Sequence, residues 1–148
     1  MTVFAENRKA RFNYEILEEL EAGIELFGHE VRAVRTGKMT LEGAHVSVRG
    51  GEAFLIGASI APYQPNNTPK GYEIGRNRRL LLTRKELRSL EDTENKKGLT
   101  LVPTSVYNKG QRIKVCIATA RGKKKFDKRA TIRKRDDERD MMREMKGR

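Results

Sequence analysis

Short runs of apolar and β-branched residues, separated by turn residues, recur along the chain. The runs are 45–49 and 53–56 on either side of Gly51, and 101–107 and 112–118 on either side of Asn108-Lys109-Gly110. Runs that flank such turns are typical of β-hairpins. Two hairpins in so short a chain predict a mainly β fold built as a small barrel.

The N-terminal sequence of one helix is recognisable. Thr83 and Glu86 have the spacing of a capping box, in which each side chain accepts a hydrogen bond from the backbone N–H of the other residue. This helix is predicted to run to about Lys97 and to stop at Gly98, a residue type that favours helix ends. A second, shorter helix is predicted for residues 28–36.

Segment 14–26 fits two interpretations. Four of its apolar residues form a helical stripe, whereas three apolar residues around its start alternate as they would in a strand. The stripe consists of Ile16, Leu17, Leu20 and Ile24, and the alternating residues are Phe12, Tyr14 and Ile16. Periodicity alone favours the helix.

The charge of the chain narrows the range of partners. Its 148 residues hold 32 Lys and Arg against 20 Asp and Glu, a net charge of +12, and such a surplus attracts polyanions such as nucleic acids or anionic membranes. No apolar run approaches the roughly 18 residues that suggest a membrane span, and the N-terminus does not have the apolar core of a signal peptide. We therefore expect a soluble, cytoplasmic protein that binds nucleic acid and no membrane.

The basic surplus is concentrated at the C-terminus. Residues 121–148 hold 13 Lys and Arg against 6 Asp and Glu, a net charge of +7, and residues 1–120 carry the remaining +5. The last 28 residues have few strong hydrophobes, so we expect a tail that is disordered when free and folds on a partner. The predicted organisation is a body, residues 1–120, and a basic tail, residues 121–148.

Two basic segments are candidates for RNA contacts. Residues 120–129 interleave Lys and Arg with a phenylalanine, which suits phosphates and an unpaired base, although an ordinary solvated basic run has the same composition. The polar stretch 61–79, a predicted surface loop with three of the four prolines, ends in the basic run 76–79. Beyond it, Arg84 and Lys85 lie in the first turn of the predicted helix. Cations are unfavourable at this positive end of the helix dipole, but they are favourable there if a phosphate is bound. Solvated surface charges explain that pair equally well.

The chain has few residues that could carry catalysis or hold a metal. His29 and His45 stand in no catalytic motif, no Gly-rich phosphate loop is present, and a single cysteine cannot form a CxxC-type zinc site. Cys116 lies in the apolar run 113–117 and is predicted to be a structural thiol of a strand. We expect no enzymatic activity, no catalytic residue, no metal site and no cofactor.

Several segments, in order along the chain, resemble the small protein B (SmpB, SsrA-binding protein) family. The matching segments are Asn7-Arg8-Lys9-Ala10-Arg11, Tyr14-Glu15-Ile16, Glu21-Ala22-Gly23-Ile24-Glu25-Leu26, Gly28-His29-Glu30-Val31-Arg32, Arg79-Leu80-Leu81-Leu82, Gly98-Leu99-Thr100-Leu101-Val102-Pro103 and Gly122-Lys123-Lys124-Lys125-Phe126-Asp127-Lys128-Arg129. Together they span nearly the whole chain, and as a set they are highly specific. The resemblance implies an oligonucleotide-binding-fold-like closed β-barrel with short helices and an extended C-terminal tail. It also makes segment 14–26 a strand, against its bare periodicity, and we follow the family.

The resemblance implies a function in the rescue of stalled ribosomes, called trans-translation. In the family, the body binds the tRNA-like domain of transfer-messenger RNA (tmRNA, SsrA RNA). The tail occupies the decoding region and the empty message channel of the ribosome, against small-subunit rRNA, and the RNA supplies a degradation tag for the nascent peptide. The implied partners are this RNA and the ribosome, with a functional association with elongation factor Tu and alanyl-tRNA synthetase through the RNA. The protein itself is an adaptor and performs no chemistry.

The resemblance also implies roles for individual residues. Glu21 and Leu81 match the glutamate and the leucine with which the family binds the RNA. Because a carboxylate repels phosphate, Glu21 is expected to accept hydrogen bonds from a base edge or to organise neighbouring cations. Further expected RNA-binding residues are Asn7, Arg8, Arg11, Gly23, Gly28, Glu30 and Arg79. The expected ribosome-contacting residues of the tail are Gly122, Lys123, Lys124, Phe126, Asp127, Lys128 and Arg129. One loop departs from the family pattern, since residues 66–74 lack its frequent His-Asp-Pro segment.

Overall fold

The computed structural model describes residues 2–122 of the chain. In chain order, the elements of these residues are β1 (Val3–Glu6), α1 (Arg8–Asn13), β2 (Tyr14–Ile24), α2 (Gly28–Arg35), β3 (Met39–Thr40), β4 (His45–Arg49), β5 (Glu52–Ile56), β6 (Ser59–Ile60), a 3-10 turn (Pro65–Asn67), β7 (Arg78–Leu81), α3 (Arg84–Glu94), β8 (Leu99–Lys109) and β9 (Arg112–Gly122). The predicted mainly β class is confirmed. The predicted tail lies outside the described residues except for Arg121 and Gly122, which end β9.

Seven of the strands form one antiparallel sheet in the order β1-β8-β9-β2-β7-β5-β4, and β3 pairs with β6 in a small second sheet. Both predicted hairpins are present. In the β4–β5 hairpin, Gly50 and Gly51 have φ values of 59° and 76°, the left-handed backbone that suits a two-residue turn. The β8–β9 hairpin turns at Gly110, with φ of 62°, and its strands run closer to the turn than predicted, to Lys109 and from Arg112.

The large sheet is open, so the predicted closed barrel is wrong. Strands β1 and β4 end the hydrogen-bonded order and do not pair with each other. Helix α3 lies at the β4 end, where it packs against β4 and β8. There the Glu94 carboxylate accepts hydrogen bonds from the backbone N–H of Val48 and from the Ser47 hydroxyl, both at 2.8 Å. A backbone donor of β4 that a neighbouring strand would use is therefore bound by a helix side chain, and the sheet does not close.

Segment 14–26 consists mostly of strand β2, so the family-based interpretation is confirmed and the helical one is wrong. In the pairing of β2 with β9, Leu17 is an extra residue between the pairs that Ile16 and Glu18 form. Because alternate residues of a strand point to opposite faces, this bulge moves the even-numbered residues from one face to the other. The bulge accounts for the helix-like spacing, since the apolar residues before and after it pack on different faces.

Apolar residues lie on both faces of the large sheet. The inner face carries the main core, where Val34 of α2 and Leu90 of α3 pack with strand residues such as Leu55 and Val115. The opposite, outer face carries a smaller cluster, in which Ala10 of α1 packs with residues of β2, β8 and β9. Helix α1 therefore lies on the outer face, whereas α2 and α3 pack against the inner one.

The two helices predicted from the sequence are present, with slightly earlier ends. Helix α3 follows the predicted capping box: the Thr83 hydroxyl accepts a hydrogen bond from the Glu86 N–H at 3.2 Å, and the Glu86 carboxylate accepts one from the Thr83 N–H at 3.0 Å. The helix ends at Glu94, three residues earlier than predicted, and Gly98, with φ of 84°, lies in the turn into β8. Helix α2 ends one residue earlier than predicted.

Candidate nucleic-acid interface

The outer face brings four of the predicted RNA-binding residues together. Gly23 of β2 pairs directly with Leu81 of β7. Glu21 lies two residues before Gly23 and Arg79 two residues before Leu81, so all four share the face opposite the main core. Leu81 is 47% exposed, and a Cβ on Gly23 would lie 3.1 Å from the Leu81 Cβ. The glycine therefore makes room for an exposed leucine beside Glu21.

Glu21 is held as a carboxylate by two neighbours. The Tyr107 hydroxyl donates a hydrogen bond to its Oε2 at 2.7 Å, and the Lys109 Nζ lies 3.3 Å from its Oε1. The hydrogen bond from Tyr107, assisted by Lys109, lowers the pKa of Glu21, while burial and the Glu21 carboxylate raise the pKa of Tyr107. Glu21 thus pairs with a lysine ammonium on the outer face.

A groove of about 390 Å³ opens beside Leu81. Three basic residues line it: Arg35 of α2, and Arg112 and Lys114 of β9. Arg35 also donates a hydrogen bond at 2.8 Å to the backbone carbonyl of Gln111, which ties α2 to the β8–β9 turn. Cations around a partly apolar groove suit a nucleic-acid strand, because they neutralise its phosphates.

The sequence interpretation missed these cations. Arg112 and Lys114 alternate in β9, so they point to the same face of the sheet. That alternation is the signal that could have placed them beside Glu21, once β9 is known to pair with β2. Arg35 has no comparable signal, since only tertiary packing brings α2 to this place. Lys109 is brought there by the pairing of β8 with β9.

Helix α1 presents two arginines next to a buried asparagine. Asn7 is the N-cap of α1: its Oδ1 accepts a hydrogen bond from the Ala10 N–H at 3.2 Å, and its Nδ2 donates one to the Pro103 carbonyl at 3.0 Å. Arg8 and Arg11 are exposed. The buried side chain of Asn7 therefore positions α1, and α1 carries the two guanidiniums on the outer face.

The buried carboxylate of Glu30 joins α2 to the loop between β6 and β7. It accepts hydrogen bonds from the Tyr72 hydroxyl at 2.9 Å, from Arg78 Nη2 at 2.8 Å, from the Phe27 N–H at 2.9 Å and from Arg76. Burial on its own would raise the pKa of Glu30, but these hydrogen bonds outweigh burial and lower it to about 2. Glu30 is therefore ionised, and it acts from inside the protein by holding the loop residues that surround it.

This lowered pKa predicts a pH dependence of stability. The pKa of Glu30 rises from about 2 in the folded chain to about 4.5 in the unfolded chain, so its ionisation stabilises the fold fully above pH 4.5. That contribution, about 3 kcal/mol, is lost as the pH falls from 4.5 towards 2. Urea unfolding between pH 5 and pH 2.5 should show a steeper loss for the wild type than for a variant with both Glu30→Met and Arg78→Met. Equal losses in the two proteins would contradict the assignment.

The sequence predicts the basic run 76–79 as one exposed stretch, and this prediction is wrong. The side chain of Arg78 is fully buried against Glu30, so it cannot reach RNA. Arg79 is about half exposed, and it forms ion pairs with Glu25 and Glu52, each at 3.2 Å. Only Arg79 of this run therefore extends the outer-face surface next to Leu81.

The histidines and the cysteine stand apart from one another. His29 lies against Phe27, His45 begins β4, and Cys116 is partly buried in β9, where burial raises the pKa of its thiol. The predicted place of Cys116 in a strand is confirmed.

Within residues 2–122, no group of three or more His, Cys, Asp or Glu is arranged to hold a metal ion. None of the helices in this range is long and apolar enough to cross a membrane.

Two of the predicted glycines lie at the ends of elements. Gly28 begins α2, and Gly122 ends β9 opposite Tyr14. Both are exposed, and among the described residues no side chain or distant backbone atom lies within 4 Å of the place that a Cβ would take. The other predicted tail residues, Lys123, Lys124, Phe126, Asp127, Lys128 and Arg129, lie outside the described residues.

Comparison with known sequences points to one family. A family model described as SmpB protein matches residues 4–147. Curated relatives named SsrA-binding protein, from Gloeothece citriformis and Microcystis aeruginosa, are 48% and 46% identical over 144 residues, which cover 97% of this chain and 93% and 94% of the relatives. A third, from Thermosynechococcus vestitus, is 45% identical over 146 residues, which cover 99% of this chain and 96% of the relative.

A solved structure is similar as well. It is described as "tmRNA-SmpB: a journey to the center of the bacterial ribosome", and one of its chains is 45% identical in sequence. The two chains align with a TM-score of 0.67 over 81% of this chain and 84% of the other. Sequence and three-dimensional similarity thus lead to the same family.

Proposed function

This chain belongs to the SmpB protein family, and from that premise we propose that it is the adaptor that brings transfer-messenger RNA to stalled ribosomes in trans-translation. The observation that carries the proposal is the outer-face site, where Glu21, Gly23 and Leu81 lie side by side with cations around them. The relatives are named for SsrA binding, and the similar structure is one of tmRNA–SmpB and the ribosome. The chain contributes binding, and it performs no chemistry and needs no cofactor.

The body, residues 1–120, binds the tRNA-like domain through the outer face. Lys109 and the basic residues of the groove neutralise phosphates, and the exposed Leu81 supplies an apolar contact for a ribose or a base. Glu21 directs the Lys109 ammonium, because it holds that ammonium at 3.3 Å. It also keeps carboxylate oxygens as acceptors for the donors of a base edge. These roles explain how a carboxylate supports binding to a polyanion.

The remaining predicted residues of the body support this contact in different ways. Arg8, Arg11 and Arg79 add exposed guanidiniums to the outer face. Asn7, which is buried, fixes the position of the helix that carries two of them. Gly28 and Glu30 belong to α2, and Glu30 holds the loop between β6 and β7 against it.

The tail, residues 121–148, acts on the ribosome. Residues 123–148 hold 12 Lys and Arg against 6 Asp and Glu, a composition that suits a path lined by rRNA phosphates. The segment from Gly122 to Arg129 contacts small-subunit rRNA in the decoding region, and the residues after it enter the empty message channel. Elongation factor Tu and alanyl-tRNA synthetase associate through the RNA. All these partners act in translation, so the proposed location is the cytoplasm.

RNA binding at about physiological salt tests the proposal, because nonspecific contacts are weak there. The wild type should bind the tRNA-like domain of transfer-messenger RNA at least tenfold more tightly than an ordinary tRNA or an unstructured RNA. Glu21→Ala should lose most of this preference, since Lys109 is then no longer held. Glu91→Ala is the matched control, because it removes one exposed carboxylate from α3 and should bind as the wild type does. Equal binding of the wild type to all three RNAs would reject the adaptor in favour of a general single-strand RNA-binding protein.

A further inference from the structure

An aromatic notch lies between the start of α2 and the loop that joins β6 to β7. It has a volume of about 370 Å³ and is lined by Phe27, His29, Pro69, Lys70, Gly71 and Tyr72. His29 stacks on Phe27 with ring centroids 5.8 Å apart, and Tyr72 meets His29 edge-on at 4.7 Å. The notch thus offers a set of neighbouring rings at the surface, and none of them belongs to the outer-face site.

The side chain of Arg76 holds the ring of Phe27 in place, and the ring remains accessible to solvent. The Arg76 Cζ lies 4.2 Å from the ring centroid, and the buried Glu30 carboxylate binds the guanidinium of Arg76. Phe27 nevertheless remains 54% exposed. A ligand that stacks on this ring therefore meets a surface that is already ordered, and it loses little affinity to the ordering of side chains.

The surroundings of the notch are positively charged. Two guanidiniums, those of Arg76 and Arg78, share the single carboxylate of Glu30, so this cluster keeps a net positive charge. Lys70 is exposed at the rim of the notch. Rings next to cations suit a nucleotide, because the base stacks on the rings while its phosphate meets the cations. An aromatic side chain of a protein would use the rings but not the cations.

We propose that this notch binds one unpaired nucleobase of the RNA, which stacks on Phe27 while Lys70 contacts the adjoining phosphate. The inference rests on the proposed function and adds a second, separate contact to it. The notch adjoins the outer-face site, because Glu25, two residues before Phe27, forms an ion pair with Arg79 at 3.2 Å. RNA held at Leu81 therefore reaches the notch by passing over Arg79.

Two substitutions of Phe27 test the notch. The chain has no tryptophan, so Phe27→Trp introduces a single indole fluorophore and keeps a stacking surface. With the tRNA-like domain of transfer-messenger RNA as the probe, Phe27→Trp should bind as the wild type does, and its emission should be quenched as the base stacks. Phe27→Ala should bind roughly tenfold more weakly, the scale of one lost base stack.

Tyr63→Ala is the matched control, since Tyr63 is an exposed aromatic of the same loop that does not line the notch. It should bind as the wild type does. Unchanged affinity of Phe27→Ala, or unchanged emission of Phe27→Trp in the complex, would overturn the notch as a base site. The wild type is titrated with the three RNAs in parallel. If it prefers the tRNA-like domain while Phe27→Ala binds that domain as tightly as the wild type does, the notch alone is rejected. If it shows no preference, the proposed function is rejected as well.

Discussion

A chain that ends at Gly122 is expected to bind the tRNA-like domain with nearly wild-type affinity and to tag no peptide on stalled ribosomes. The ladder between β2 and β9 is kept in this chain, because it ends where Gly122 lies opposite Tyr14. The ion pair of Arg121 with Glu15, at 2.7 Å, is kept as well. The residues proposed to bind the tRNA-like domain all precede the cut. Tagging should be lost completely, since every residue proposed to contact the decoding region except Gly122 is gone.

The full-length Glu21→Ala variant is the complementary control for this truncation. It keeps the tail, and it should fail at the earlier step, selective RNA binding. The truncated chain should also bind unrelated RNA more weakly and with a shallower salt dependence, because it has lost 12 Lys and Arg against 6 Asp and Glu. Tagging by the truncated chain, or loss of its preference for the tRNA-like domain, would contradict the division of roles between body and tail.

Glu30→Gln is expected to lower the free energy of unfolding by about 3–5 kcal/mol at neutral pH, the usual cost of removing one partner of a buried ion pair. The amide has nearly the size of the carboxylate but no charge, so the fully buried guanidinium of Arg78 is left without an anion. The hydrogen bonds from Tyr72 and Arg76 also lose a charged acceptor. Urea unfolding measures the effect directly.

Two comparisons separate this effect from a general loss of charge. Glu25→Gln removes an exposed partner of Arg79 and should cost less than about 1 kcal/mol, as exposed ion pairs do. The double variant with Glu30→Met and Arg78→Met leaves no buried charge unpaired and should recover much of the stability. A Glu30→Gln protein as stable as Glu25→Gln would show that the buried network does not hold the loop.

The features that the sequence predicted correctly are those whose causes are local. The hairpin turns follow from glycines, two in the β4–β5 turn and one in the β8–β9 turn, and the start of α3 follows from two residues three positions apart. The open sheet and the face change in β2 have causes that are distant in sequence. One depends on Glu94 reaching β4, and the other on an extra residue, Leu17, that is visible only once β2 is paired with β9.

The residues of the candidate site likewise fall into those that the sequence predicts and those that it does not. Glu21 and Leu81 could be named from the family pattern, because each stands within a recognisable segment. Lys109 and Lys114 could not, since they reach the site only through strand pairing. The burial of Arg78 was equally hidden, because a basic run gives no sign that one of its members has a carboxylate partner in a distant helix.

The hydrogen bonds from β4 to Glu94 also bear on self-assembly. An edge strand with free backbone N–H groups is a template on which a strand of another molecule can add, and such addition leads to aggregates. In this protein, a carboxylate binds the Val48 N–H, and a helix lies over that edge. Growth of the sheet by strand addition is thereby hindered at β4. A basic protein that must remain dispersed among much larger RNAs thus avoids one route to self-aggregation.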